Sequence, residues 1–467
     1  MSRIFRNAVK KHPVLEGAIR RLIACVPLSS RLGRGFWEWY GFYRESEHWT
    51  REQLHEFQFE TLRDLLRELR NCSPFYRQRL AGVDIDSIGG IDDFKAKVPV
   101  LTRGEFRENF AHIKATDWQS RRLESAATSG TTGHALRFYH DRADGMRELG
   151  AVYSLWRQVG YIPGKSRRAE FRGLTDRGKI VKHYPDNGMI RCSILHLERE
   201  HVCHYAEEIA RHGSEFFHGY PSAIYLLARE IVRSGLRFPQ PRAMMFHSEE
   251  VYDWQVDAIQ DVFPSTKLMS VYGCAERTVL GAWCEHKRQY HMVPQYSIFE
   301  VDPATHEICG TNLFNSVNGF LRYAMTDMAL GFDGQPCSAC RRPYTPVLSQ
   351  LGGRCGDYLH SVDYGWIAPG IATYPFKSMR AVHEVQLYQA KPDEVVVRFT
   401  VCAGARPQAV DRELGRIREE FCRLLGTRTR CRFEQVPNFA RTSSGKFKWI
   451  VSELAESRLG ENPTMAA

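Results

Sequence analysis

The sequence has 467 residues, 43% hydrophobic and 25% charged, which suits a globular protein of several domains and excludes wholesale disorder, collagen and coiled coil. It contains no apolar run of about 18 residues, so nothing in it reads as a membrane span. A formal net charge of +10 is too dilute over this length to mark a nucleic-acid binder, and no aromatic-and-basic sheet signature accompanies it.

The charge is uneven. Residues 1–43 hold eight Arg/Lys (Arg3, Arg6, Lys10, Lys11, Arg20, Arg21, Arg31, Arg34) against Glu16 and Glu38. Residues 1–44 read as basic amphipathic helix punctuated by Pro13 and Pro27, ending in the aromatic run Phe36, Trp37, Trp39, Tyr40, Phe42 and Tyr43. Such a segment either lies on an anionic membrane face or docks to a membrane-bound partner, or packs its aromatics on the main body. From Glu45 to about Arg70, Leu54, Phe57, Leu62, Leu65, Leu66 and Leu69 keep near-helical spacing and predict a long core-facing helix. Short strand patterns then alternate with helical ones to about residue 350, the signature of an α/β domain.

Within that stretch, Ser125–Gly133 is rich in hydroxyls and glycine and precedes a strand-like run, Leu136–Tyr139. Glycine permits positive φ and close backbone approach, and consecutive N–H groups with Ser/Thr hydroxyls can cradle a phosphate; as a bare pattern the run equally suits a solvated turn. No lysine follows the glycines, so the loop is not that of kinase-like NTPases.

The thirteen cysteines are odd in number and mostly scattered, and no secretory segment precedes them, which points to free thiols in a reducing cytoplasm. One cluster stands apart. Cys284 lies near His286 and His291, and Cys337-Ser-Ala-Cys340 follows downstream. Three sulfurs and one imidazole suit a tetrahedral structural zinc with no open position, His286 and His291 competing for the fourth place.

After Gly352-Gly353 the pattern changes. Strands are predicted over Val382–Gln389 and Glu394–Val401, about the turn Lys391-Pro392-Asp393. A helix with Val410, Leu414, Ile417, Phe421 and Leu424 follows, then a strand through Cys431, Phe433 and Val436: a compact ββαβ unit.

Five stations in order carry a resemblance to the adenylate-forming enzymes: Thr128-Ser-Gly-Thr-Thr-Gly133, Tyr272-Gly-Cys-Ala-Glu276, Tyr323-Ala-Met-Thr-Asp327, Gly353-Arg354 with Asp357, and Arg441-Thr-Ser-Ser-Gly-Lys446. The resemblance implies an α/β fold with a large N-terminal domain (45–353), a hinge at 354–357 and a small mobile α+β C-terminal lid (358–467). It further implies dependence on ATP and Mg2+, with a small-molecule carboxylate activated as an acyl-adenylate. By the same resemblance Thr128, Ser129, Gly130, Thr131, Thr132 and Gly133 hold phosphates, Tyr272 flanks the adenine, and Glu276 holds magnesium. Asp327 and Arg354 bind the ribose, and Lys446 bridges the substrate carboxylate and the α-phosphate. The chain departs from the family's pattern at Ala275, Met325, Thr326 and His134-Ala135, while keeping the charged groups.

Ser73-Pro-Phe-Tyr-Arg77, Gly219-Tyr-Pro-Ser222 and the Cys/His set are similar to the phenylacetate-CoA-ligase-like branch. That branch carries a Cys and a His at the offset of Cys284 and His291, implying His291 as the fourth ligand beside Cys284, Cys337 and Cys340. Trp156-Arg-Gln-Val-Gly160, Pro163-Gly164 and Phe171-Arg172-Gly173 bring the likeness closer to capsule-biosynthesis CapK-type proteins, and a glycine- and aromatic-rich stretch of true phenylacetate ligases is absent. The acyl pocket is expected between the Gly219–Ser222, Ser248-Glu249 and Tyr272 segments, with Phe217, His218, Tyr220 and Ser248 as walls. The acceptor is open: CoA, an amine or a sugar, or transfer of AMP itself. The rival expectation is a non-catalytic scaffold of a membrane-associated polysaccharide assembly, touching membrane or partner through residues 1–43 at the inner face.

Overall fold

The computed structural model describes residues 13–127, 136–172, 179–194, 197, 199–248, 251, 253–284, 286–303, 307–332, 337, 339–340, 342, 347–351, 359–367, 372, 375–376, 379, 381–401, 404–439 and 450–454. Two prolines open the first helices, α1 (Pro13–Ala24) and α2 (Leu28–Glu45), where a missing N–H costs nothing. Gly33, at φ +76°, bends α2. Past the bend Phe36, Tyr40 and Tyr43 recur at helical spacing and are buried, so the aromatic run packs on the body. A 3-10 turn, Ser46–His48, separates α2 from the long helix α3 (Arg51–Cys72). The helix starts at Arg51 rather than Glu45 because Thr50 and Gln53 form a reciprocal capping box, with Gln53 N–H donating to Thr50 Oγ1 and Thr50 N–H to Gln53 Oε1. Its core stripe is Leu54, Phe59, Leu62, Leu65, Leu66 and Leu69; Phe57 is half-buried, against Phe42 and Trp49.

A hairpin follows, β1 (Leu123–Ala127) paired antiparallel with β2 (Arg137–Asp141), in register Ala127 to Arg137. Asp141 caps α4 (Arg142–Trp156) by accepting from Ala143 N–H. The main sheet comprises β3 (Arg168–Arg172), β4 (Val181–Tyr184), β5 (Met189–Ser193), β6 (Phe216–Gly219), β7 (Ala243–His247), β8 (Lys267–Gly273), β9 (Leu280–Trp283), β10 (Tyr290–Met292), β11 (Ser297–Val301), β12 (Glu307–Asn312), β13 (Tyr323–Phe332) and β14 (Val347–Leu351). Their order is β11-β12-β13-β14-β10-β9-β8-β7-β6-β3-β5-β4. Strands β8, β7, β6, β3 and β5 run parallel, joined by α5 (Arg199–His212), α6 (Pro221–Ser234) and α7 (Asp253–Val262); the other pairings are antiparallel. Helices α5–α7 cover one face, packing on Phe171, Phe217, Met244 and Phe246. Helices α2 and α4 cover the other, packing on Phe216, Met245 and Met269. Alternation along a strand forces this division, since neighbouring residues point to opposite faces.

Beyond a small hairpin, β15 (Leu359–Ser361) with β16 (Gly365–Ile367), comes a four-stranded sheet in the order β19-β18-β17-β20. It consists of β17 (Val382–Lys391), β18 (Glu394–Val401), β19 (Arg430–Gln435) and β20 (Ile450–Ser452), against α8 (Pro407–Leu425). Ile417, Phe421, Leu424 and Leu425 are the buried stripe of α8. The expected ββαβ order is present, and β20, too short to announce itself by alternation, adds a fourth strand parallel to β17.

Where α2 crosses α4, Gly150 lets the backbones approach closely: a Cβ there would stand 2.9 Å from both Trp39 Cβ and Tyr40 N. Gly150→Val is expected to cost about 1–3 kcal/mol through overpacking, read as a lower urea midpoint at unchanged m-value; a midpoint equal to wild type would contradict this account of the crossing.

Candidate functional site

Tyr272, near the end of β8, is buried and donates its hydroxyl to Asp327 Oδ2 of β13 at 3.1 Å, across 55 residues of sequence. Two of the expected nucleotide contacts therefore stand side by side. Glu276 follows in the turn to β9 and is 6% exposed, its carbonyl accepting from Asn312 Nδ2 at 3.2 Å. Arg277 takes a left-handed conformation, φ +58°, with its N–H donating to the Cys274 carbonyl. For a non-glycine that conformation costs about 1–3 kcal/mol and persists only where the surroundings determine it.

Those surroundings are a buried ionic network on α4. Arg277 Nη1 donates to Asp144 Oδ2 at 2.8 Å, and Arg147 Nε to Asp144 Oδ1 at 3.0 Å. His140, on β2, sets Nδ1 3.2 Å from Asp144 Oδ2 and Nε2 2.8 Å from the Ala275 carbonyl oxygen. The Arg147 guanidinium is 1% exposed, between the rings of Tyr296 and Phe314. Burial alone would raise the Asp144 pKa; Arg147, His140 and Arg277 outweigh it and hold the carboxyl well below the usual range. Asn318 Oδ1 accepts from Tyr139 N–H and Asn315 Nδ2 donates to the Tyr139 carbonyl, so β2 is also pinned to the loop before β13. The hairpin flanking the expected phosphate loop and the Tyr272–Glu276 turn thus share one scaffold.

A second polar cluster lies at the carboxyl ends of the parallel strands. Strand β3 is flanked by β5 on one side and β6 on the other, the topological switch point where open α/β sheets bind ligands. Glu170 of β3 pairs in register with His218 of β6, so both side chains project to the α4 face. His218 Nδ1 stands 3.4 Å from Glu170 Oε1, and the His218 ring lies on that of His247, centroids 4.4 Å apart. Arg191 Nε donates to Glu170 Oε2 at 2.6 Å, and Arg172 Nη2 to the Tyr220 hydroxyl at 3.2 Å. Burial opposes ionisation of Glu170, but His218, Arg191 and Arg172 hold it well below the carboxylate range; burial pushes His218 and His247 down, toward neutral imidazoles. His247 Nδ1 is 2.7 Å from Ser248 Oγ, while its buried Nε2 has no hydrogen-bond partner among the described residues. Ser248 is exposed at φ +66°. Phe217 does not share this face. Strand alternation sends it into the opposite core with Phe171 and Phe263, which corrects its expected place as a pocket wall beside His218.

The ligand atoms of Cys284, His291, Cys337 and Cys340 lie within 4.8 Å of one another. Cys340 Sγ is 3.4 Å from His291 Nε2, and the amides of His286 and Ala339 donate to Cys284 Sγ and Cys337 Sγ at 3.4 Å. Burial pushes the Cys284 thiol up, to about 11, against the N–H two residues on, whereas at Cys337 the backbone N–H groups outweigh burial and lower the thiol. The His286 side chain is exposed and outside the cluster. Arg342, two residues past Cys340, donates Nε to Glu47 Oε1 at 2.9 Å, tying this turn to the 3-10 turn after α2. The donor set fits a closed tetrahedral zinc site.

Thr128 to Gly133, Arg354 and Lys446 lie outside the described residues. Among those described, sequence reasoning missed His140, Asp144, Arg147, Glu170, His247 and Arg277. An acid and an arginine three apart on a helix that is otherwise apolar toward the sheet, as Asp144 and Arg147 are, was the available signal.

Residues 359–453 match the CapK C-terminal domain family. The chain is 21% identical over 418 residues to Protein CapK of Staphylococcus aureus, covering 86% of this chain and 90% of that protein. Among solved structures, 2-hydroxyisobutyryl-CoA ligase with 2-HIB-AMP and CoA in the thioesterification state is similar at TM-score 0.57 and 18% identity, over 90% of this chain and 93% of that one. The same ligase in the postadenylation state with R3-HIB-AMP is similar at TM-score 0.53, with the same identity and coverage. The chain has the fold of these adenylate-forming ligases.

Asp144 is buried, and removing Arg147 strips Oδ1 of its two guanidinium donors and leaves the charge to Arg277 and His140 at Oδ2. Arg147→Met is expected to lose about 3–5 kcal/mol of stability, and Asp144→Leu in the same chain to restore much of it. Guanidinium unfolding of the two variants decides: a single variant as stable as wild type would show the network to be dispensable.

Proposed function

We propose that this protein is an ATP- and magnesium-dependent ligase that activates a small carboxylic acid as its acyl-adenylate. The observation that carries this reading is the Tyr272–Asp327 contact, which unites two distant motif residues beside a buried Glu276 in a chain with the ligase fold. A substrate carboxylate oxygen attacks the α-phosphorus of ATP, the bond to the bridging oxygen breaks, and pyrophosphate leaves. Charge builds on phosphoryl oxygens, so the residues act by position and electrostatics. Tyr272 would stack on the adenine, Asp327 and Arg354 would accept and steady the ribose, and the backbone amides and hydroxyls of Thr128–Gly133 would hold the phosphates, Thr131 at the reacting end. Glu276 would hold magnesium, which neutralises phosphate charge when bound. Lys446, on the C-terminal domain, would bridge the carboxylate and the α-phosphate. The acyl group would then pass to CoA sulfur or to an amine or sugar acceptor, the bond from the acyl carbon to the phosphate oxygen breaking, AMP leaving and the acceptor giving up its proton.

His218, Tyr220 and Ser248 would line the acyl pocket, with Glu170 and His247 behind them. An unpartnered imidazole nitrogen, an ionised carboxylate and Arg172 make that pocket polar. It suits an acid bearing a second hydrogen-bonding group, such as a hydroxy or keto acid, rather than a bare aromatic or aliphatic acid. The Cys284–His291–Cys337–Cys340 cluster would hold a structural zinc. Unpaired thiols among the described residues accord with work in the cytoplasm, and surface-polysaccharide or secondary biosynthesis is the pathway class the CapK likeness favours.

ATP–pyrophosphate exchange over a panel of carboxylic acids tests the ligase reading. Exchange is expected with polar acids first, and Lys446→Ala should lower it on the order of a hundred- to a thousandfold. A wild type silent over the whole panel, with no ATP binding by calorimetry, would favour the scaffold instead. For the metal, one zinc per chain is expected in the purified protein and none in Cys337→Ser/Cys340→Ser, together with a fall in melting temperature; equal metal content in both would remove these ligands.

A further inference from the structure

Helix α1 is mounted with its apolar side outward. Glu16 and Arg20, one turn apart, face the body: Arg20 Nη1 donates to Asp186 Oδ2 at 2.7 Å, Lys182 Nζ to Glu16 Oε2 at 3.1 Å, and Arg20 stacks over the Tyr184 ring. The helix is thereby tied to the edge strand β4 and the turn after it through ion pairs. At 100° per residue, Leu15 and Leu22 fall on one stripe away from that contact, 48% and 72% exposed, and Val26, two residues past the helix, is 45% exposed. Ile23 adds 37% beside them. An amphipathic helix that only packed on the body would present these residues inward. Four of the seven large apolar residues exposed among those described occupy this short segment.

The flanks of the stripe are basic. Arg21 is exposed on α1 and Arg31 half-buried at the start of α2, while Arg34, exposed on α2, pairs with Glu38 at 2.6 Å; Glu16 and Arg20 are turned inward. Apolar side chains that seat among acyl chains, bordered by guanidinium groups that meet headgroup phosphates, match an anionic lipid surface. We propose that α1 and the turn after it form an interfacial anchor that lays Leu15, Leu22 and Val26 into an anionic bilayer face and holds the body against it. The anchor is independent of the ligase reading, since no residue of α1 belongs to the nucleotide or acyl site.

Sedimentation of the full chain with large vesicles separates the possible occupants of the stripe. Vesicles of phosphatidylcholine with about 30% phosphatidylglycerol should bind the protein, phosphatidylcholine alone should bind it about tenfold more weakly or not at all, and salt of about 0.5 M should weaken binding. Leu15→Glu/Leu22→Glu should lose at least about tenfold of that binding, with unchanged circular dichroism, and the milder Leu22→Ser should lose part of it. The anchor is overturned if wild type binds neither vesicle, or if the double variant binds as wild type does. It is equally overturned if light scattering shows wild type to be a dimer that Leu22→Glu dissociates, because a second copy would then cover the stripe.

Discussion

The Asp144 carboxylate is the constraint around which the large domain is arranged. It is 4% exposed and receives Arg147 from its own helix, His140 from the preceding strand and Arg277 from a turn 133 residues away. A buried charge of this kind tolerates few geometries, because any that loses a partner leaves the ion unsolvated. Three segments of chain therefore arrive at one place with little freedom. The left-handed backbone at Arg277 is one result: its side chain reaches Asp144 and Glu276 is set at the mouth of the turn. Stability is then concentrated where the nucleotide would bind.

The sheet divides the labour between its faces. One carries an apolar helical layer, and Phe171, Phe217 and Phe246 serve it alone. The other presents Glu170, His218 and His247 toward the carboxyl ends of its parallel strands, the side on which open α/β sheets bind ligands. Nothing but the alternation of side chains along β3, β6 and β7 separates the two. A one-residue slip in β6 would exchange Phe217 for His218 and bury an imidazole in the hydrocarbon layer.

Much of this was legible in the sequence where the pattern was strong and local. The C-terminal hairpin and α8 declare themselves through alternation and a repeated apolar stripe, and Cys337-x-x-Cys340 announces a turn that brings two sulfurs together. The start of α3 was misplaced because hydrophobic spacing continues smoothly from α2, while the boundary is set by Thr50 and Gln53. The Asp144 network was hidden because its members are ordinary charges until the fold assembles them. The outward face of α1 was hidden for the same reason. Its amphipathic pattern is plain, but which side meets the body depends on Asp186 and Lys182, far along the chain.

The β1–β2 hairpin has a thermodynamic consequence. Ala127 and Arg137 are cross-strand partners, and β2 is fastened in turn to Asn315 and Asn318. The two ends of the proposed phosphate-binding run are thus brought together by folding itself, so the entropy of closing that loop would be met before any nucleotide bound there.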